Sequence, residues 1–368
     1  MSVTPITPMS SSARDAKDRF PSMPRSVLLR FIHRGVLVPE VLITHRRLIP
    51  EGPHHQLLKD AGFSIRAVPD DVDAMQADVL IDLLGDAEAV IAGTEPFNRI
   101  VIETPNKLRV VARCGVGFDT VDVDACDEKN IVVTTTLGTN HHSVAEHALA
   151  MMLAVYRGFP GRDLLVRNRR AWNKNVLPRF AGSTVGIVGL GRIGQSLAMR
   201  LPSLQAKILA FEPYPNEEFV KQYDIELTSL EDLLSRSDAV SLHSPVFPET
   251  VGMINRETLA LMKSTAILVN TSRGALVVEE DLVETLKNGT IAAAGLDVFE
   301  NEPINDDHPF LDMENVLLSP HAAGADNVSH HDSCVMVGET ISELYRGGWP
   351  AECIMNMKGV SGWGWNRG

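Results

Sequence analysis

The 368-residue chain has only four cysteines, Cys114, Cys126, Cys334 and Cys353, and no two form a Cys-x-x-Cys pair. That excludes the disulfide framework of a small secreted domain and points to reduced, structural thiols in a cytoplasmic protein. Long apolar runs are also missing. The longest helix-like one, "ALAMMLAVY" at 148–156, is far too short to cross a bilayer and reads as a buried helix. Basic residues are outnumbered, 34 against 47 acidic ones, giving a net charge of −13. Nucleic acid and anionic membrane surfaces are therefore excluded as main partners, but a small anionic substrate is not, because local arginines can hold one. Histidines are present in adjacent pairs at 54–55, 141–142 and 330–331. None has the helical spacing of a zinc site, so no metal is expected.

The length implies two domains. Residues 1–39, rich in Ser, Pro and charge, read as a flexible leader; an organelle-targeting reading is weakened by Asp15 and Asp18. Short apolar runs such as "FSIRAVP", "AVIAGTE", "LRVVARCG" and "IVVTTTLG" then alternate with helix-like segments, the pattern of a parallel α/β unit. A helical stretch from Val144 follows. A second such unit starts at "STVGIVGLG" and continues through "AVSLHSP", "AILVNTS", "AAAGLDVF" and "VLLSP". The expected fold is α/β: two Rossmann-like domains with parallel sheets, one of them flavodoxin-like, and a cleft between them.

"VGIVGLGRIG" joins a strand to a helix through Gly189, Gly191 and Gly194. Such a turn directs unpaired N–H groups and the positive helix end at a pyrophosphate. The first glycine makes the turn, the second admits the phosphate and the third lets helix and strand pack. Glycines at this spacing also occur as plain loop chemistry, so context matters. Glu212, 18 residues past Gly194, ends the next apolar run, where an acid bonds the adenosine ribose 2′-OH. A carboxylate there repels a 2′-phosphate, which predicts NAD over NADP.

Three polar residues follow strand ends in the second unit: Arg273 after "AILVNTS", Glu302 after "GLDVF" and His321 after "VLLSP". Ligands of an open parallel sheet bind beyond the carboxyl ends of its strands. An arginine there can grip a carboxylate bidentately, a histidine can exchange a proton with a hydroxyl, and a neighbouring carboxylate favours the imidazolium and orients it. The alternative is a surface arginine and a histidine satisfied by local bonds. Sequence order alone leaves both readings open.

The chain resembles the D-isomer-specific 2-hydroxyacid dehydrogenases over roughly residues 40–352. The resemblance rests on six motifs in order: "RCGVGFDTVD", "SVAEHALAMMLAVYR", "GSTVGIVGLGRIG", "NTSRGALV", "GLDVFENEP" and "SPHAAG". It implies that Arg273 binds the substrate carboxylate, that His321 is the acid/base and that Glu302 is its partner. It places Arg192 and Ile193 on the pyrophosphate turn, Thr271 and Ser272 near the nicotinamide, Asp297 on its carboxamide and Ser244 beside the adenosine of NAD. Gly115, Val116 and Gly117 would hold the substrate carboxylate through their backbone, and the helix from Val144 would form a homodimer interface. The implied domains are a discontinuous substrate domain of 40–141 and 325–352, an NAD-binding domain of 142–324 and a C-terminal tail of 353–368.

Glutamate at 302 disfavours the formate dehydrogenase branch, which has glutamine there. The short stretch after residue 352 implies no C-terminal regulatory domain. "AVIAGTEPF" resembles the phosphoglycerate dehydrogenase-like branch, so 3-phosphoglycerate or a near relative is the expected substrate. However, Ala92-Gly93 stands where many serine-pathway enzymes have Arg-Ser, which removes a basic contact for a phosphate. Arg113 either replaces that contact or packs under the glycine turn. Glyoxylate/hydroxypyruvate reductase is the alternative within the class, and a dinucleotide-sensing, corepressor-like scaffold the alternative outside it. His147 and Glu146 read as capping and packing.

Overall fold

A computed structural model describes residues 38–45, 48, 51–168, 172, 176–358, 360 and 362–365. Residues 1–37 of the expected leader lie outside the described residues. The chain divides into two compact units, one ending at Leu137 and resuming at His331, the other spanning Gly138–His330.

The first unit is built on five parallel strands: β1 (Glu40–Ile43), β2 (Ser64–Ala67), β3 (Ala89–Ala92), β4 (Val110–Arg113) and β5 (Val132–Thr135). Their order is β2-β1-β3-β4-β5, the flavodoxin-like arrangement, with its switch point between β1 and β3. Alternation along each strand feeds two cores. Val41, Ile43, Ala89 and Ile91 pack on one face with Leu58 and with Val337, Ile341 and Leu344 of the helix Asn327–Tyr345. Leu42, Val90 and Ala92 pack on the other with Leu80, Leu84, Val101 and Ile102. Because both faces are covered, β3, β4 and β5 are buried throughout and β1 is buried but for its first residue, whereas edge strand β2 is not.

The described part of the expected tail is not separate from this unit. Trp365 is buried edge-on against Phe63 and Tyr345, and its Nε1 donates to Glu88 Oε2 at 2.6 Å. Arg109 donates to the carbonyls of Gly364 and Trp365 and lies over the Trp363 ring. "SGWGWNRG" reads as a tail because of its glycines, but its tryptophans have far more apolar surface to bury than the glycines release.

The second unit has seven parallel strands: β6 (Thr184–Val188), β7 (Lys207–Phe211), β8 (Glu226–Leu227), β9 (Ala239–Leu242), β10 (Ile267–Asn270), β11 (Ala293–Leu296) and β12 (Val316–Leu318). The order β12-β11-β10-β9-β6-β7-β8 reverses between β6 and β9, as in a dinucleotide-binding fold. The helix His141–Tyr156, named α1 here, buries Ala148, Met151, Met152 and Val155 against one face of this sheet. The helix Glu279–Lys287, α2 here, ends with Asn288 as C-cap, and Gly289 after it has φ +70°.

All four cysteines are free. Burial pushes the Cys114 and Cys126 thiols up to about 12, so both are inert packing groups. Among the described residues no three metal-ligating side chains gather, and no helix is long and apolar enough to cross a membrane.

Candidate active site

The three glycines have three different surroundings. At Gly189, φ is +95°, and a Cβ would lie 2.8 Å from the His243 carbonyl and Ser244 nitrogen, so the turn runs directly against the end of β9. At Gly191 a Cβ would meet nothing within 4 Å, which leaves the space a pyrophosphate needs. At Gly194 a Cβ would lie 2.1 Å from the Gly189 oxygen, so only glycine lets the helix Arg192–Ala198 close on its strand. Gly191 caps that helix without a side-chain bond, and Arg192 and Ile193 open it. Glu212 folds back onto the turn: Oε2 accepts from Leu190 N–H at 2.8 Å and Oε1 from Tyr214 N–H at 3.0 Å. His243 beneath the turn is pushed down to about 4 by burial and stays neutral. Sequence reading missed it.

Beyond β10 the chain makes a polar knot. Asn270 Oδ1 accepts from Ser272 N–H, while its amide donates to the Arg273 carbonyl. Ser272 Oγ donates to the Ser244 carbonyl at 2.6 Å, tying two expected cofactor contacts together. Thr271 is buried, and its hydroxyl has no hydrogen-bond partner in the described structure. An orphaned hydroxyl beside an open glycine turn fits a polar cofactor group completing the bond. The residues present thus fit NAD, which would supply or receive hydride.

His321 and Glu302 meet. Glu302 Oε2 accepts from His321 Nδ1 at 2.6 Å, and Glu302 Oε1 accepts from Phe299 N–H at 3.0 Å. Burial raises the Glu302 pKa. The bond and charge of His321, the Phe299 N–H and the Arg273 guanidinium outweigh it and hold the carboxyl below its usual range. With Nδ1–H directed at Glu302, His321 Nε2 is the atom left to exchange a proton with a substrate oxygen.

The backbone of His321 is in the left-handed region, φ +51°, which a histidine adopts only when its neighbours enforce it. Asp297 does so. Its carbonyl accepts from His321 N–H at 2.8 Å, Oδ1 from Ala322 N–H at 2.9 Å and Oδ2 from Ala323 N–H at 2.8 Å. The resemblance gives Asp297 to the nicotinamide carboxamide. In the structure it is fully buried and both oxygens engage the His321 loop. His147 lies inside α1 rather than at its cap, with Nε2 3.6 Å from Asp297 Oδ1, beyond hydrogen-bond reach, which leaves it the packing part of its expected role. Gly274 was also missed: a Cβ there would lie 2.0 Å from the Phe299 carbonyl carbon, so the Arg273 and Glu302 loops touch backbone to backbone.

Gly115, Val116 and Gly117 belong to the first unit, beyond the end of β4. Arg113 is buried there, donating to the Gly117 and Ala92 carbonyls. Of its two expected roles it takes the packing one.

The parallel-sheet fold agrees with the comparisons. Residues 149–323 match the family described as D-isomer specific 2-hydroxyacid dehydrogenase, NAD binding domain. Glyoxylate reductase of Korarchaeum cryptofilum is 41% identical over 282 residues, 75% of this chain and 85% of that protein. The chain belongs to the D-isomer-specific 2-hydroxyacid dehydrogenases. D-3-phosphoglycerate dehydrogenase of Mycobacterium tuberculosis is 38% identical over 294 residues, but the chain spans only 54% of its length. Among solved structures, the TT0316 protein of Thermus thermophilus superposes with a TM-score of 0.77 at 31% identity, covering 86% of this chain and 99% of that one. Like its family, this dehydrogenase has an NAD-binding domain and is an oxidoreductase of D-2-hydroxy and 2-oxo acids, not a scaffold alone.

Proposed function

We propose that this enzyme reduces a small unphosphorylated 2-oxo acid of the glyoxylate or hydroxypyruvate kind with NADH. The reading is carried by a carboxylate. Glu95 is buried just beyond β3, at the switch point of the first sheet, and accepts from Gly93 N–H at 2.5 Å. His45, just beyond β1, fills the space where a Gly93 side chain would stand. This is the end of a flavodoxin-like sheet where ligands bind, and it presents an acid where phosphate recognition needs a base. Arg113, engaged by two carbonyls, is a weaker substitute for the missing basic contact, which favours an unphosphorylated acid over 3-phosphoglycerate. The likeness to glyoxylate reductase over most of that protein's length favours the same reading.

Arg273 grips the substrate carboxylate, and His321 Nε2 gives its proton to the substrate oxygen as hydride reaches the carbon. Glu212 excludes a 2′-phosphate and so sets NAD over NADP. The helix from Val144, expected at a homodimer interface, buries its apolar side in its own unit, so it is the exposed Phe159, Leu164, Val166, Trp172 and Val176 after it that favour a homodimer; a monomeric mass at micromolar concentration would refute it. The four free thiols support a cytoplasmic location.

The test is NADH oxidation over glyoxylate, hydroxypyruvate and phosphohydroxypyruvate. The unphosphorylated acids should have kcat/KM at least about tenfold higher, a margin that Glu95→Gln narrows. A preference for the phosphorylated acid overturns the proposal.

A further inference from the structure

Glu279, the first residue of α2, holds both stems of the loop that carries Glu302. On the near stem the two residues bond reciprocally: Glu300 N–H donates to Glu279 Oε1 at 2.7 Å, and Glu279 N–H donates to Glu300 Oε1 at 3.3 Å. On the far stem His308 Nε2 lies 3.2 Å from Glu279 Oε2. His308 Nδ1 accepts from Phe310 N–H, which fixes the tautomer with its proton on Nε2, facing Glu279. Phe310 is buried in the core of the second unit and anchors that stem. Glu280 and Glu300 line the same pocket as the pair, and Asp306 and Asp307 directly precede His308.

We propose that Glu279 and His308 are positioning residues for catalysis. They clamp residues 300–308 so that Glu302 stays aimed at His321 Nδ1. Neither touches the reacting atoms in this account, which rests on Glu302 and His321 being the acid/base pair. The geometry favours this over packing alone, because one carboxylate with 12% of its side chain exposed bonds to both stems of the loop. Gly274 adds a coupling: its backbone lies against Phe299 and Glu300, so loosening this clamp also loosens the seat of Arg273.

The test compares Glu279→Gln, His308→Ala and His308→Gln with Glu302→Gln, measuring NADH binding, kcat, KM for the 2-oxo acid and the pH profile of reduction. In His308→Ala, kcat should fall about 10- to 100-fold with NADH binding intact. The alkaline limb of the profile should move to lower pH, as in Glu302→Gln. Glu279→Gln keeps the acceptor for Glu300 but presents an amide donor to His308, and should fall between. His308→Gln, which retains a donor near the Nε2 position, should recover most of the rate. Wild-type kcat and pH profile in folded His308→Ala and Glu279→Gln overturn the clamp. If Glu302→Gln itself leaves the profile unmoved, the acid/base reading beneath it fails instead.

Discussion

His321 Nδ1 lies 2.6 Å from Glu302 Oε2, on a backbone that Asp297 bends into the left-handed region through three main-chain bonds. The proton on Nδ1 is therefore fixed, and chemistry is left to Nε2. His321→Ala should lose about 10²–10⁴-fold in kcat while NADH binding persists. A loss of only a few-fold would remove His321 from the reaction.

Glu302 sets the acid side. Burial works against its charge, but the bond from His321, the Phe299 N–H and the Arg273 charge hold its pKa below the usual range. A carboxyl depressed in the folded state contributes stability that is whole above its unfolded pKa and lost as pH falls through the folded value. Thermal stability should therefore drop between about pH 4.5 and lower values, and Glu302→Gln should remove part of that slope. A slope identical in the variant would show that other carboxylates account for it.

The glycine turn separates folding from binding. Gly191→Ala meets open space, so the melting temperature should hold while NADH affinity falls by about 1–3 kcal/mol. Gly194→Ala drives a methyl into the Gly189 carbonyl and should destabilise the fold by about 3 kcal/mol. Calorimetry with and without NADH distinguishes the two; equal melting temperatures would contradict the assignment.

Glu212→Ala removes the acceptor for Leu190 and Tyr214 N–H as well as the predicted ribose contact. NADH affinity should weaken about tenfold, roughly 1.4 kcal/mol, and the ratio of NAD to NADP use should fall. An unchanged ratio would leave Glu212 a purely structural role.

What sequence revealed follows the range of the interactions. The parallel sheets were legible because strands covered on both faces are apolar, as in "AVIA" and "AAGL". The glycine turn was legible because its three constraints fall within six residues. The pairing of His321 with Glu302 was reachable only through family resemblance, since 19 residues and a strand separate them. Gly274 and the clamp at Glu279 were not legible: each acts through a contact whose partner lies elsewhere in the chain, and neither belongs to a local pattern. The C-terminal tryptophans failed for the same reason, as nothing near them indicates Glu88 or Arg109.

Those tryptophans also bear on the order of assembly. Part of the cover on the first sheet comes from residues beyond His331, which follow the whole second unit in sequence. A ribosome emitting this chain releases the NAD-binding unit complete, whereas the sheet begun at residue 40 waits with one face only partly covered, by residues such as Leu58 and Phe63, until Val337, Ile341, Leu344 and Trp365 emerge. Nascent chains stalled before that point should thus be the aggregation-prone species.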